Sequence, residues 1–365
     1  MESSGERLRV GVIFGGRSGE HEVSLRSAAF VMDSLDRDRY DVVPIGIGKQ
    51  GEWLLDADPM RQLSAAPAAD SGESLPVTLP TAHLPAAGRA SVGALDLVFP
   101  VLHGTYGEDG TVQGLLELAD LPYVGSGVTG SAVAMDKGVA KAILRDHGLS
   151  VGLWHVVTVS AWRADPAAVR AEVEARLTYP LFTKPCNLGS SVGVSKVHHA
   201  GEFDDAMAAA AEYDRRIIIE QGVPNAREIE VSILGNDEPE ASVCGEIVPA
   251  TEFYDYAAKY EDDRSQAIVP ADLPPPLADR IRGDAVRAFR ALDCAGYARV
   301  DFLVDAETLE PVIGEINTIP GFTEISMYPK LWEASGVPAR ELMDRLIRLA
   351  LERHQERRSL RTSYT

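Results

Sequence analysis

Residues 298–322 read ARVDFLVDAETLEPVIGEINTIPGF, and the reading of this stretch decides the fold. Two apolar runs flank DAETLEP, a turn-like segment. In each run a polar or charged residue returns at every second position: Arg299 and Asp301 in the first, Glu315 and Asn317 in the second. Alternate residues of a β-strand face the same way. If the runs pair as neighbouring strands, Asp301, Glu315 and Asn317 converge on one sheet face. Three oxygen donors there suit a hard divalent cation, and Mg²⁺ keeps positions open for water and phosphate oxygens. The same alternation also describes an ordinary solvent-facing sheet side. Pro320-Gly321 just beyond adds a turn whose backbone N–H groups would stand beside the metal.

Working outward, KPCNLGSSVGVSK (184–196) reads as two strands joined by a glycine-rich loop. Such a loop wraps phosphates with its backbone N–H groups, and it is also a plain hairpin turn with serines. It is no P-loop, because it leads into the strand VGVSKV rather than a helix. Lys184 on the incoming strand is within reach of a phosphate. RVGVIFGG, YDVVPIGI and LDLVFPVLHG read as strands, and EVSLRSAAFVMDSLD has helical spacing. Strands separated by helices predict a parallel α/β sheet. GGRSGEHEVS lacks GxGxxG, so dinucleotide binding is poorly supported. HGTYGEDG carries one histidine and two acids, and a lone His103 is more often structural than catalytic. SAVAMDKGVAKAILRDHG reads as one helix ending at Gly148, with Lys137 and Lys141 on one face. WHVVTVS and IIIEQGVPNAREIEVSILG read as strands. ADPAAVRAEVEARL and LADRIRGDAVRAFRALD read as helices, and the segment from Leu331 as one or two more. Residues 57–90 read as a surface insertion, and 251–270 as a long loop rich in tyrosine.

A chain of 365 residues predicts two or three lobes. The net charge is −20, and no basic cluster precedes RHQERRSLRTSYT, so a duplex-binding footprint is excluded. That tail reads as a frayed, solvated end. No apolar run approaches the roughly 18 residues that span a bilayer. The start lacks a signal peptide's apolar centre, so neither a nucleic-acid nor a membrane partner is expected and cytoplasm is the expected location. Cys186, Cys244 and Cys294 have neither metal nor disulfide-framework spacing.

GGRSGEHEVS, HGTYGEDGTVQGLLEL, PYVGSG, SAVAMDK, KPCNLGSSVGVSK, EFYDYAAKY, ARVDF and EINTIPGFT occur in this order, from about Val10 to about Gly336. In this they closely resemble the D-alanine–D-alanine ligases, a family with the ATP-grasp fold. The resemblance implies an α/β (α+β) chain of three lobes: 1–127 with a parallel sheet, 128–220 with the glycine-rich loop, and 221–356 with the metal site and a lid at 251–270. Residues 357–365 are a tail. It implies ATP and Mg²⁺ as cofactors, with Mn²⁺ as a substitute and a monovalent cation assisting, D-alanine as substrate, and a homodimer.

By the same resemblance, Lys137 and Lys184 contact the nucleotide phosphates or adenine, Ser191 lies on the nucleotide-binding loop, and Glu220 and Glu228 face the adenine or ribose. Asp301, Glu315 and Asn317 are the metal ligands. Glu20 receives the first D-alanine's ammonium, and His103 lies near that substrate. Ser190, Tyr260 and Glu20 form a hydrogen-bonded set pinning the lid. Lys259 reaches the transferred phosphate or the second carboxylate. Arg299 and the Gly321 N–H resemble oxyanion donors, and Ser326 the second carboxylate's partner. Gln221 and Gly222 depart from the lysine and bulky apolar residue often found beside adenine. Three other readings make different predictions. A D-alanine–D-lactate ligase would carry histidine where Tyr260 stands. A regulatory module could dispense with a metal ligand or with Arg299. A different carboxylate–amine ligase would tolerate loss of the Glu20 charge.

Overall fold

The structure is a computed structural model and describes residues 7–55, 58–65, 94–249 and 266–361. Lys259 and Tyr260, most of the 57–90 insertion and most of the lid lie outside the described residues.

The N-terminal sheet contains β1 (Leu8–Gly15), β2 (Tyr40–Ile47), β3 (Trp53–Leu54) and β4 (Leu97–Val101), in the order β3-β2-β1-β4. β1 pairs in parallel with both β2 and β4. The chain therefore leaves β1 toward one side and returns on the other. A crevice opens at such a switch point, beyond the carboxyl ends of the strands. The loop after β1 ends at Glu20, which precedes the helix His21–Ser34. The loop after β4 carries His103 as its second residue. The first part of the expected insertion is a helix, Pro59–Ala65, and its Met60 and Leu63 pack against the core.

The central sheet is antiparallel: β5 (Trp154–Thr158), β6 (Leu181–Pro185), β7 (Ser195–Val197) and β8 (Arg216–Gln221), ordered β5-β8-β6-β7. It has its own core, built on Leu181, Phe203, Met207 and Ile219. The glycine-rich loop joins β6 to β7.

The C-terminal sheet comprises β9 (Ala226–Gly235), β10 (Glu240–Val248), β11 (Gln266–Ile268), β12 (Gly296–Asp305) and β13 (Pro311–Asn317), ordered β11-β10-β9-β12-β13. Along β12, Ala298, Val300, Phe302 and Val304 are buried, packing with Ile281, Ala285 and Phe289 of the helix Pro275–Ala291. Arg299, Asp301 and Leu303 alternate with them on the other, half-exposed face. The alternation in the sequence thus separates a core face from a cleft face.

Three expectations are corrected. The helix expected up to Gly148 is two helices, Val128–Met135 and Lys137–Asp146. Asp136 breaks the run: its backbone is extended and its carboxylate accepts the Val139 N–H, capping the second helix. The long loop contains β11, which pairs antiparallel with β10. The tail does not fray at its start. The helix Ala339–Ser359 continues into it, Arg353 donates to the Tyr123 carbonyl at 3.2 Å, and Arg357 pairs with Glu117. Val12, Phe14 and Phe99 of the N-terminal sheet share one core with Tyr297, Phe322, Tyr328 and Leu346.

Candidate active site

The side chains named at the outset meet on the cleft face of β9, β12 and β13. Asp301 stands opposite Glu315 on one side and Glu230 on the other, and Arg299 opposite Asn317 and Ser232. The β12–β13 register slips beside Asp301, leaving Gly314 as the extra residue. A Cβ on Gly314 would stand 3.3 Å from the Asp301 carbonyl oxygen. Such a bulge re-aims neighbouring side chains and is common beside active sites. Arg299 donates twice to Asp301, at 2.7 Å each, and lies 3.2 Å from Glu230. Asn317 donates to Asp301 at 2.9 Å. Burial opposes the Arg299 charge, but Asp301 and Glu230 hold its pKa well above the ordinary value.

Lysines line the next part of the cleft. Lys137, at the start of its helix, donates to the Leu188 carbonyl at 2.7 Å and lies 3.5 Å from Glu315. Lys184 on β6 is 2.7 Å from Glu220, and the buried Lys141 is 3.1 Å from the other oxygen of the same carboxylate. Burial would raise the Glu220 pKa, but Lys141 and Lys184 outweigh it and hold the carboxyl down to about 2. Above them the glycine-rich loop is bent: Ser190, Ser191 and Gly193 have φ of 51°, 58° and 69°. Left-handed backbone costs each serine about 1–2 kcal/mol, and the Val192 and Val194 N–H groups close turns onto the Gly189 and Ser191 carbonyls at 3.3 Å each.

The loop reaches the N-terminal crevice. Ser190 Oγ makes a short hydrogen bond to Glu20. A Cβ on Gly189 would lie 3.1 Å from the same carboxylate, so the backbone approach depends on glycine. Glu108, in the β4 loop, is buried and accepts from the Gly104 N–H at 2.7 Å and the Ile319 N–H at 3.3 Å. Burial first, and then the Glu20 charge, push its carboxyl up to about 8. Ser326 Oγ accepts from the Thr323 N–H at 3.0 Å, and a Cβ on Gly321 would stand only 2.9 Å from that oxygen.

One cleft results, in two halves. Glu20, His103, Asn317, Gly321 and Ser326 line one half; Lys137, Lys184, Ser191, Glu228 and Asp301 line the other. Gly189, Ser190, Glu230, Arg299 and Glu315 line both. Glu220 lies behind this cleft, with both oxygens turned to lysines. Among the described residues no three or more His, Cys, Asp and Glu side chains cluster as metal ligands. The donor set here is two carboxylates and one amide. The sequence alone assigned no role to Glu230, Lys141 or Glu108. Glu230 was marked by the same alternation as Asp301, since acids stand two apart in AREIEVS.

The fold has known counterparts. The structure of the D-alanine-D-alanine ligase from Coxiella burnetii matches with a TM-score of 0.83 and 39% identity, covering 97% of each chain. A D-Ala:D-Ser ligase from Enterococcus faecalis matches with a TM-score of 0.80 and 35% identity, covering 94% of this chain and 100% of that one. Two antiparallel sheets closed over a cleft of lysines and carboxylates make this an enzyme of the ATP-grasp fold. In sequence, residues 9–126 match the family model described as D-ala D-ala ligase N-terminus, and 143–348 the one described as its C-terminus. The D-alanine--D-alanine ligase of Natranaerobius thermophilus is 49% identical over 96% of this chain and 97% of its own. The D-alanine--D-alanine ligase A of Escherichia coli K12 is 48% identical over 98% of this chain and 100% of its own. The chain belongs to the D-alanine–D-alanine ligase family.

Proposed function

We propose that the chain joins two D-alanines into D-alanyl-D-alanine, cleaving ATP to ADP and phosphate, as a step toward peptidoglycan precursors. The observation that carries this reading is the shared wall of the cleft. A half lined by lysines and a phosphate-cradling loop meets a half lined by Glu20 at Arg299 and Glu315.

A carboxylate resists amines, because its charge repels them and oxide is a poor leaving group. Transfer of the γ-phosphoryl of ATP onto the first D-alanine's carboxylate gives D-alanyl phosphate and ADP. The second D-alanine's amine then attacks the acyl carbon, phosphate leaves, and the amine's excess proton passes to solvent. Lys137, Lys184, Ser191 and the loop N–H groups hold the phosphates. Glu228 faces the ribose or adenine. Glu220 acts on that side chiefly by fixing Lys184. Glu20 takes the first ammonium. Arg299 and the Gly321 N–H hold the tetrahedral oxyanion, and Ser326 the second carboxylate. The Ser190–Glu20 bond draws the loop over the site. Tyr260 and Lys259 complete the closure, which keeps water from the acyl phosphate.

Asp301, Glu315 and Asn317 suit Mg²⁺ or Mn²⁺: they are oxygen donors on facing strands, and cationic Arg299 and Lys137 lie against the same carboxylates. Bound there, the ion neutralises the phosphate charge. A three-lobed chain with boundaries near 127 and 220, a homodimer, a monovalent cation and a cytoplasmic location belong to the same reading. The three sheets support the three lobes, and among the described residues no helix is long and apolar enough to cross a membrane.

The test is ADP formation by the purified chain with ATP, Mg²⁺ and D-alanine. ADP is expected with D-alanine and not with L-alanine. Neither D-lactate nor D-serine should displace D-alanine as second substrate at neutral pH. ATP binding without D-alanine-dependent ADP overturns the reading.

A further inference from the structure

The turn after β13 carries Gly321, and the N-terminal lobe holds it at both ends. The Ile319 carbonyl oxygen lies 2.9 Å from His103 Nδ1, which faces an acceptor and therefore carries the proton. His103 Nε2 is then an acceptor, 3.0 Å from Ser27 Oγ, whose hydroxyl donates to it. Ser27 Oγ in turn accepts the Phe322 N–H at 3.2 Å. The hydrogen bonds thus run in one direction: Phe322 N–H to Ser27, Ser27 O–H to His103, His103 N–H to Ile319. Burial lowers the His103 pKa, which favours the neutral ring this relay needs. The Ile319 N–H is taken by Glu108, and the other Glu108 oxygen accepts from Gly104 in its own loop. Ser27, His103, Ile319 and Phe322 are all buried.

We propose that Ser27, His103 and Glu108 form a clasp that sets the height of the Gly321 N–H above the acyl carbon. All three are positioning residues. The proposal rests on the ligase reading above and refines it: both His103 ring nitrogens are spent inside the protein, so the ring acts through the turn. Ser27 lies seven residues beyond Glu20 on the helix that Glu20 precedes, about two turns away on the same side. One rigid element therefore spaces the site for the first ammonium from the turn that meets the oxyanion. Phe322 is further wedged by Tyr297, Tyr328 and Phe99, with ring centroids at 5.7, 5.1 and 6.3 Å. The clasp thus sets an angle within a turn whose apolar anchor is already fixed.

The clasp serves the second half-reaction, in which the oxyanion forms. Loosening it leaves acyl phosphate formation largely in place. Ser27→Ala removes the hydroxyl joining Phe322 to His103. Glu108→Gln keeps the volume but replaces one of the two accepting oxygens, which accept with or without a proton on the carboxyl, by an amide nitrogen that cannot accept. In each variant kcat for dipeptide formation should fall roughly 10- to 100-fold, the scale of an ångström's misplacement, with KM for ATP within about twofold. D-alanine-dependent positional isotope exchange in ¹⁸O-labelled ATP reports reversible acyl phosphate formation. It should stay within about threefold of the parent, so exchange per dipeptide formed rises in proportion to the lost turnover. Exchange and turnover falling in parallel, or neither changing, overturns the clasp. If Ser27→Ala does not fold, Glu108→Gln decides alone. A parent chain without D-alanine-dependent ADP would instead remove the ligase reading, whereas a turning-over parent with indifferent variants removes only the clasp.

Discussion

Glu220, behind the lysine-lined half of the cleft, is buried between Lys141 and Lys184, while Glu108, in the half lined by Glu20, is buried beside that acid. The first is held down to about 2 against the effect of burial, and the second is pushed up to about 8 with it. The lysine-lined half thus comes with its cations in place, mounted on strands and a helix. The other half is built from loops and backbone N–H groups and holds two acids close together. Under the proposed function, an arriving ammonium relieves that half, as arriving phosphates suit the other.

The sharpest way to break this comparison is at the shared wall. Asp301→Ala removes one of the proposed metal donors and both short hydrogen bonds from Arg299, leaving its contact with Glu230. ADP formation should fall by at least about 10³-fold, and a variant within tenfold of the parent would show the wall to be dispensable.

A smaller effect separates the two glutamates by pH. Glu220 falls from an ordinary value near 4.5 to about 2 on folding. Its stabilisation, on the order of 3 kcal/mol, is present above pH 4.5 and is lost as pH falls toward 2. Glu108 has the opposite sign: its protonated form is favoured in the fold, so its contribution is lost as pH rises from 4.5 through about 8. Urea midpoints across pH should show Glu220→Gln flattening the acid limb and Glu108→Gln flattening the decline above pH 5. The same limb flattened by both variants would contradict the contrast. The smallest effect is expected from Glu20→Gln. KM for the first D-alanine should rise roughly tenfold, the worth of a charge-assisted hydrogen bond, with KM for ATP within about twofold. An equal rise in both would mean the halves do not bind separately.

What was legible in the sequence was what has a period. Alternation in 298–322 marked a strand pair with a polar face, and the pairing of Asp301 with Glu315 bears that out. The helix break at Asp136 was hidden because apolar spacing continues across it and no proline interrupts the run, while the nearby Gly138 lies inside the second helix. β11 is only three exposed residues and offers no pattern. Glu108 and Ser27 were illegible for another reason. Their partners, Ile319 and Phe322, lie 211 and 295 residues away, and the contacts are to backbone, which leaves no mark on side-chain identity. Lys141 was visible on a helix face, but only the fold shows that the face turns inward onto Glu220.

The apolar core shared by the N-terminal sheet and the residues around β12 and the last helix has a mechanical consequence. The helices 128–135 and 137–146 also pack beneath the C-terminal sheet, through Ala134, Ala140 and Leu144. Any widening of the cleft that keeps every core intact must therefore pivot the small sheet of 154–221, which has an interior of its own. The molecule is a vice with one jaw welded to the bench, and the serine loop rides on the other.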